Sequence, residues 1–234
     1  DQLAAALATR LLRCVAESHE SSLAWENWRL GGRRPGGRMG GRSRVRKESP
    51  LPRPIARLGH PILRFPAEPV DVDQLKAGEM DELITALGES LESTGASAVT
   101  APQLGVELQI MAVRSDLVDG EGNPAVRIVV NPMLLPEHGD LVYDWESCLS
   151  IPDLKGLVPR YPTVKLRGID HRGDPVELDA TGEASRVLQH AHDHLSGVVF
   201  LDRMGDLRSL AFGDEWQEFL SESDLDAGEN EESP

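Results

Sequence analysis

Residues 189–194 read Gln189-His190-Ala191-His192-Asp193-His194, and the reading of this stretch decides the fold. It lies inside a run, residues 183–196, that reads as a helix, with Gly197 placed to end it. At 3.6 residues per turn His190 and His194 project from one face, about 40° apart. Two imidazoles so placed can grip one metal ion. His192 falls about 200° from His190 around the same helix and faces away from that grip.

Working outward, strand-like runs precede this helix at residues 108–113, 126–130, 141–143, 163–168 and 176–179, separated by Gly, Pro and Asn/Asp turns. Asp170-His171-Arg172-Gly173-Asp174 reads as the hairpin loop between the last two. Residues 71–93 show helical spacing through Leu75, Met80, Leu83, Ile84, Leu87 and Leu91, with Asp71 or Asp73 as the cap. A last amphipathic piece is expected over 207–220. Strands grouped before a central helix, with no βαβ alternation, predict an α+β fold in which antiparallel strands pack around a metal-binding helix. No internal repeat is visible.

A chain of 234 residues suits one domain with a short appendage. The folded zone is expected over 51–221. The net charge of −15 is uneven: residues 1–50 hold ten Arg/Lys and five Asp/Glu, a net of +5, which leaves −20 for the rest. So acidic a body repels a phosphate backbone, which excludes direct nucleic-acid binding by the folded part. Within 1–50, residues 31–47 are nearly all Gly, Arg, Ser and Pro and cannot build a core. That segment is expected to be disordered or mis-started, with Met39 as the expected start. A nucleic-acid-touching arm is the minority reading. Residues 222–234 read as an acidic solvated tail. No run reaches the length of a membrane span, and no secretory signal is evident. Two cysteines, Cys14 and Cys148, make no disulfide framework. Together these suggest a reducing compartment and predict a cytoplasmic protein, which the family resemblance given below would make bacterial. Glu17, Glu20 and Glu26 speak against an organelle-targeting peptide.

In the metal-hydrolase pattern H-E-x-x-H the Glu after the first His is the general base. Here that position is Ala191: the grip is kept and the proton-moving group is absent. A metal held by two histidines needs a third ligand. Cys148, in Glu146-Ser147-Cys148-Leu149-Ser150, is the best candidate, against the alternative of a buried structural cysteine. Residues 94–105 are rich in small side chains, and Gln103 there offers an N–H₂ to a developing oxyanion. Taken alone, the residues favour a solvated Gln in a tight connection.

The three segments together change that balance. Ala101-Pro102-Gln103-Leu104-Gly105, then Glu146-Ser147-Cys148-Leu149-Ser150, then Gln189-His190-x-x-Asp193-His194-Leu195-x-Gly197 resemble, in order, the three motifs of peptide deformylases. The flanks 54–64, Val158-Pro159-Arg160, Gly168-Ile169-Asp170 and Leu201-Asp202-Arg203-Met204 are similar too. The resemblance covers about residues 55–210. It implies an α+β fold and one divalent ion on Cys148, His190 and His194: Fe²⁺, with Zn²⁺, Ni²⁺ or Co²⁺ as substitutes. It implies that a water activated by the metal attacks the N-formyl carbon of a nascent peptide's first methionine, releasing formate. Gln103 and the backbone N–H of Leu149 would hold the oxyanion. Ser97, Ala98, Ser147 and Val187 would line the substrate site. The implied partner is the N-formylmethionyl peptide, near the ribosome, with the protein a monomer and no membrane involved.

This chain departs from the family at three places near one site. Ala191 replaces the glutamate, with Glu146 and Glu183 as candidate substitutes for it. Ala96 and Ala98 stand where the family has glycines, and Ala excludes positive φ at low cost, which predicts a shifted loop. Glu183 stands where a bulky apolar residue is frequent. The sequence therefore supports a deformylase of impaired activity, with two alternatives: a catalytically silent metal- and peptide-binding protein, or an amidase for another small N-acyl substrate.

Overall fold

Asp71 opens the helical part of the chain as its position predicts: its carboxylate accepts from the N–H groups of Asp73 and Gln74. The helix it caps is short. Residues 71–93 read as one helix, but a computed structural model of the chain divides them into α1 (Val72–Lys76) and α2 (Asp81–Thr94). Gly78 turns the chain between them at φ +79°, a conformation that side chains resist. The apolar spacing survives the break, since Leu75, Leu83, Leu87 and Leu91 are all buried. The structure describes residues 53–118, 126–137 and 139–220. The basic segment 1–50 and the acidic tail 222–234 lie outside the described residues.

Strands follow in the order β1 (Ala98–Thr100), β2 (Ile110–Arg114), β3 (Val126–Pro136), β4 (Val142–Cys148), β5 (Ile151–Arg160), β6 (Thr163–Ile169) and β7 (Pro175–Thr181). Then come helix α3 (Gly182–Leu195), the single-turn helix α4 (Phe200–Arg203) and the two-residue strand β8 (Ala211–Phe212). One sheet has the order β1-β2-β3-β6-β7 and the other β4-β5-β8, with every pairing antiparallel. The fold is α+β.

The run Ile110-Met111-Ala112-Val113 is apolar throughout because β2 is covered on both faces. Side chains alternate across a strand. Ile110 and Ala112 pack with Leu83, Leu87 and Leu91 of α2, while Met111 and Val113 pack with Leu188, Ala191 and Leu195 of α3. The neighbouring strand repeats the pattern, Ile128 and Val130 on the α2 side and Val129 on the α3 side. The metal helix therefore lies against the large sheet. A third cluster, formed by Cys148, Ile151, Val158, Val199 and Phe200, packs the small sheet against α4.

Two strands were not legible. β1 looks like a small-residue loop, and β5 contains Pro152, Gly156 and Pro159, which argue against a strand. β3 runs past its expected end at 130. Asn131 takes φ +50° there, and the register with β6 shifts between Val130 and Met133. The Asn131 amide pairs with the backbone of Val70 through both its atoms, at 2.8 and 2.9 Å, which holds the bulge. The expected amphipathic piece over 207–220 is instead a 3₁₀ turn, Leu207–Ser209, then β8 and short helical turns from Gly213 onward. The hairpin loop is as expected: the Asp170 N–H donates to the Asp174 carbonyl and the Gly173 N–H to that of Asp170. Gly197 does more than end α3. It sits at φ +73°, and a Cβ there would lie 2.8 Å from the Arg64 carbonyl carbon. The chain after the metal helix passes too close to residues 64–65 for any side chain.

Candidate metal centre

Cys148 ends β4, and His190 and His194 lie one turn apart on α3. The ligand-capable atoms of the three lie within 4.8 Å of one another, and Cys148 Sγ is 3.2 Å from His194 Nε2. Typical metal–thiolate and metal–imidazole lengths place tetrahedral ligand atoms roughly 3.3–3.6 Å apart, so this donor set fits one small divalent ion. It is the one such grouping of His, Cys, Asp or Glu among the described residues. Among the described residues Cys148 is a free, buried thiol.

His190 is oriented from behind. Its Nδ1 lies 2.8 Å from Glu146 Oε2, which assigns that nitrogen as the donor and leaves Nε2 for the thiol side. Glu146 in turn accepts two bonds from Arg160, at 2.8 and 3.0 Å, and one from Arg186 at 3.0 Å. Arg160 also reaches Asp193 at 2.6 Å, and Asp193 accepts from Arg203 at 2.6 and 3.1 Å. Glu146, Arg160 and Asp193 are each about 95 % buried. One ionic network thus ties β4, β5 and α3 together beneath the histidines.

The charges respond accordingly. Burial alone would raise the Glu146 carboxyl, but bonds from Arg160 and His190 outweigh it and bring it down to about 2. Burial also opposes the charged forms of Cys148 and His190. Hydrogen bonds from the two histidines nevertheless lower the thiol to about 5, and those from Cys148 and Glu146 raise His190 to about 9. A thiol held near its anionic form is the state in which it ligates metal. Because removing one partner strands its buried counter-charges, Arg160→Met should destabilise the fold by about 3–5 kcal/mol. Urea unfolding of the two proteins measures this, and a change below about 1 kcal/mol would show that the network is not structural.

Gln103 sits in a 3₁₀ turn, Ala101–Leu104, and is 3 % exposed, so the solvated reading is wrong. Its Oε1 accepts from the N–H and Oγ1 of Thr100, at 3.0 and 3.1 Å. That fixes the amide with Nε2 toward Cys148 Sγ, at 3.9 Å, and Ser150 Oγ, at 3.4 Å. Gln103, Leu149, Cys148 and His190 line a cleft of about 670 Å³. Ser97, Ala98, Ser147 and Val187 line the same cleft, so the structure brings every expected substrate residue to one place. His194 is buried.

Neither Ala96 nor Ala98 adopts positive φ, and Ala98 simply begins β1, so these alanines impose no backbone strain. Ala191 is 1 % exposed and packs in the apolar cluster of α3. Glu146 is fully engaged and strongly acidic, which removes it as a substitute base. Glu183 lines the cleft. His192 does face elsewhere: it lines a different cavity, of about 500 Å³, with Leu141, Tyr161 and Arg203. Burial lowers its pKa. The roles of Arg160, Asp193 and Arg186 were missed. The available signal was a charged Asp between two helix histidines, on a helix that must be buried.

The family model described as polypeptide deformylase matches residues 52–209. Peptide deformylase 1 of Nitrosomonas europaea is 34 % identical over 166 residues, covering 69 % of this chain and 93 % of that protein. Among solved structures, the Met-Ala-Ser-bound class I type b peptide deformylase of Acinetobacter baumannii superposes with a TM-score of 0.58 at 29 % identity, over 64 % of this chain and 97 % of that one. A peptide deformylase of Synechococcus elongatus, in complex with actinonin, gives 0.59 at 28 % identity, over 80 % and 94 %.

Proposed function

The chain belongs to the peptide deformylase family, metal-dependent hydrolases that remove the N-formyl group from nascent proteins, and from that premise we propose that it binds one divalent ion and formylmethionyl peptides but hydrolyses them slowly. The observation that carries this reading is the convergence of Cys148, His190 and His194 at a cleft faced by the Gln103 amide. The three ligands would hold Fe²⁺, or Zn²⁺, Ni²⁺ or Co²⁺ in its place. When bound, such an ion supplies Lewis acidity and lowers the pKa of water.

The chain's own residues do the rest. The Gln103 N–H₂ and the Leu149 N–H stabilise negative charge on the formyl oxygen without a proton of their own. Ser97, Ala98, Ser147 and Val187 hold the peptide in the cleft. Glu146 and Arg160 keep His190 in the tautomer that presents Nε2. At position 191 a methyl group can neither take a proton nor return one to the leaving amine. That single feature favours the second reading, a protein that binds peptide without turnover. Formate release from formyl-Met-Ala-Ser by iron-loaded protein separates the two: slow but measurable release supports the first, none despite peptide binding supports the second.

The same reading places the protein in the bacterial cytoplasm, as a monomer working near the ribosome. Among the described residues no helix is long and apolar enough to cross a membrane. Residues 51–221 would form the deformylase unit, with 1–50 and 222–234 dispensable for its folding. Limited proteolysis should then leave a stable core from about residue 50 to about 220. A protease-resistant fragment retaining the first 50 residues would contradict this.

A further inference from the structure

The lining of the cleft holds exposed acids that the hydrolytic reading does not use. Besides the Cys148 thiol, six of the residues lining the cleft carry charge-bearing side chains: Asp144, Glu146, Asp153, Glu183, Arg186 and His190. Glu146 is spent on Arg160, Arg186 and His190. Arg186 is spent in turn. Beyond Glu146, it donates to the carbonyls of Val142, Asp144 and Val158. What remains lines the cleft with exposed side chains. Asp144 lies 3.9 Å from Arg186 Nε with its side chain 66 % exposed. Asp153 and Glu183 are exposed and form no ion pair among the described residues. Arg114, whose field reaches Glu183, is bonded to Asp116.

We infer that this cleft selects peptides carrying positive charge on the residues that follow the metal-proximal methionine, with Glu183 and Asp153 as the specificity-determining groups. The inference rests on the peptide-binding reading above. A formyl-blocked terminus has no charge, so the metal end of the cleft is indifferent to the acids, and only the side chains further along the ligand can meet them. Opposite charges across a cleft wall change which ligand is preferred more than they change total affinity, and salt weakens them.

The test uses the zinc-loaded full chain and three probes: the amides of formyl-Met-Lys-Lys, formyl-Met-Ala-Ser and formyl-Met-Glu-Glu. Binding is read by calorimetry. At low salt the Lys peptide should bind at least about tenfold more tightly than the Glu peptide, with the neutral peptide between them. The gap should close to about twofold in the double variant Asp153→Asn, Glu183→Gln. Both positions are exposed, and Asn tolerates the φ of +66° at 153, so the variant folds. Equal affinities for the three peptides would overturn the inference and leave the proposed function standing. A Lys preference undiminished in the double variant would also overturn it, by assigning the effect to the net charge of the whole body. Failure of all three peptides to bind would overturn the proposed function as well.

Discussion

Ala191→Glu is expected to raise formate release from formyl-Met-Ala-Ser by at least about a hundredfold, at unchanged metal content. The size follows from what general acid–base catalysis contributes, about 10²–10⁴-fold, at a position whose native side chain is a methyl group. Three observations make 191 the limiting defect. The ligand set converges without help from that position. The alanines at 96 and 98 leave the cleft wall unstrained. Glu146, the nearest carboxylate to His190, is locked by Arg160 and Arg186. Position 191 is about 100° from His190 around the helix, on the flank of the metal-facing side, where a carboxylate on a longer stem can reach the cleft. Ala191 itself packs with apolar neighbours of α3 and the large sheet, so the Glu must direct its head out of that packing. No gain with metal bound would show that the packing holds the carboxylate away. Family-level activity in the unmodified chain would show that another base has taken over.

The second large effect is on metal. Cys148→Ala should reduce the metal content of anaerobically purified protein from about one ion per chain to nearly none. The thiol is the one ligand from outside α3. Two imidazoles on one helix cannot close a tetrahedral site by themselves, and Gln103 presents a donor, not an acceptor, on that side. Cys148 is buried with Ile151, Val158 and Phe200, so its replacement by Ala leaves packing nearly intact and the loss can be read as ligation. Unchanged metal content in this variant would sink the ligand assignment.

The metal helix was legible because its chemistry and its period coincide in one short stretch. His190 and His194 need only a helix to converge, and Gly197 marks where that helix must stop. The strands between turns were legible where apolar residues alternate or run without interruption, as at 110–113. What could not be read is what depends on tertiary contact. β5 carries two prolines and a glycine, and nothing local shows that β4 pairs along its whole length. The helix expected over 71–93 keeps its apolar spacing across a break, because α1 and α2 feed the same core. Gln103 looked solvated because its amide is oriented by Thr100, a relation invisible until the 3₁₀ turn closes. The Arg160–Glu146–Asp193 network joins residues up to 47 positions apart and has no local signature. The family resemblance supplied the third ligand where spacing left it open.

The most direct measurement of the metal centre is the electronic spectrum of the cobalt(II)-loaded natural chain. Cys148, His190 and His194 as ligands predict one ion per chain, a thiolate-to-cobalt charge-transfer band in the near ultraviolet and strong visible bands of low-coordinate cobalt. The charge-transfer band should vanish in Cys148→Ala. Weak bands of six-coordinate cobalt, or a charge-transfer band that persists in that variant, would contradict the account.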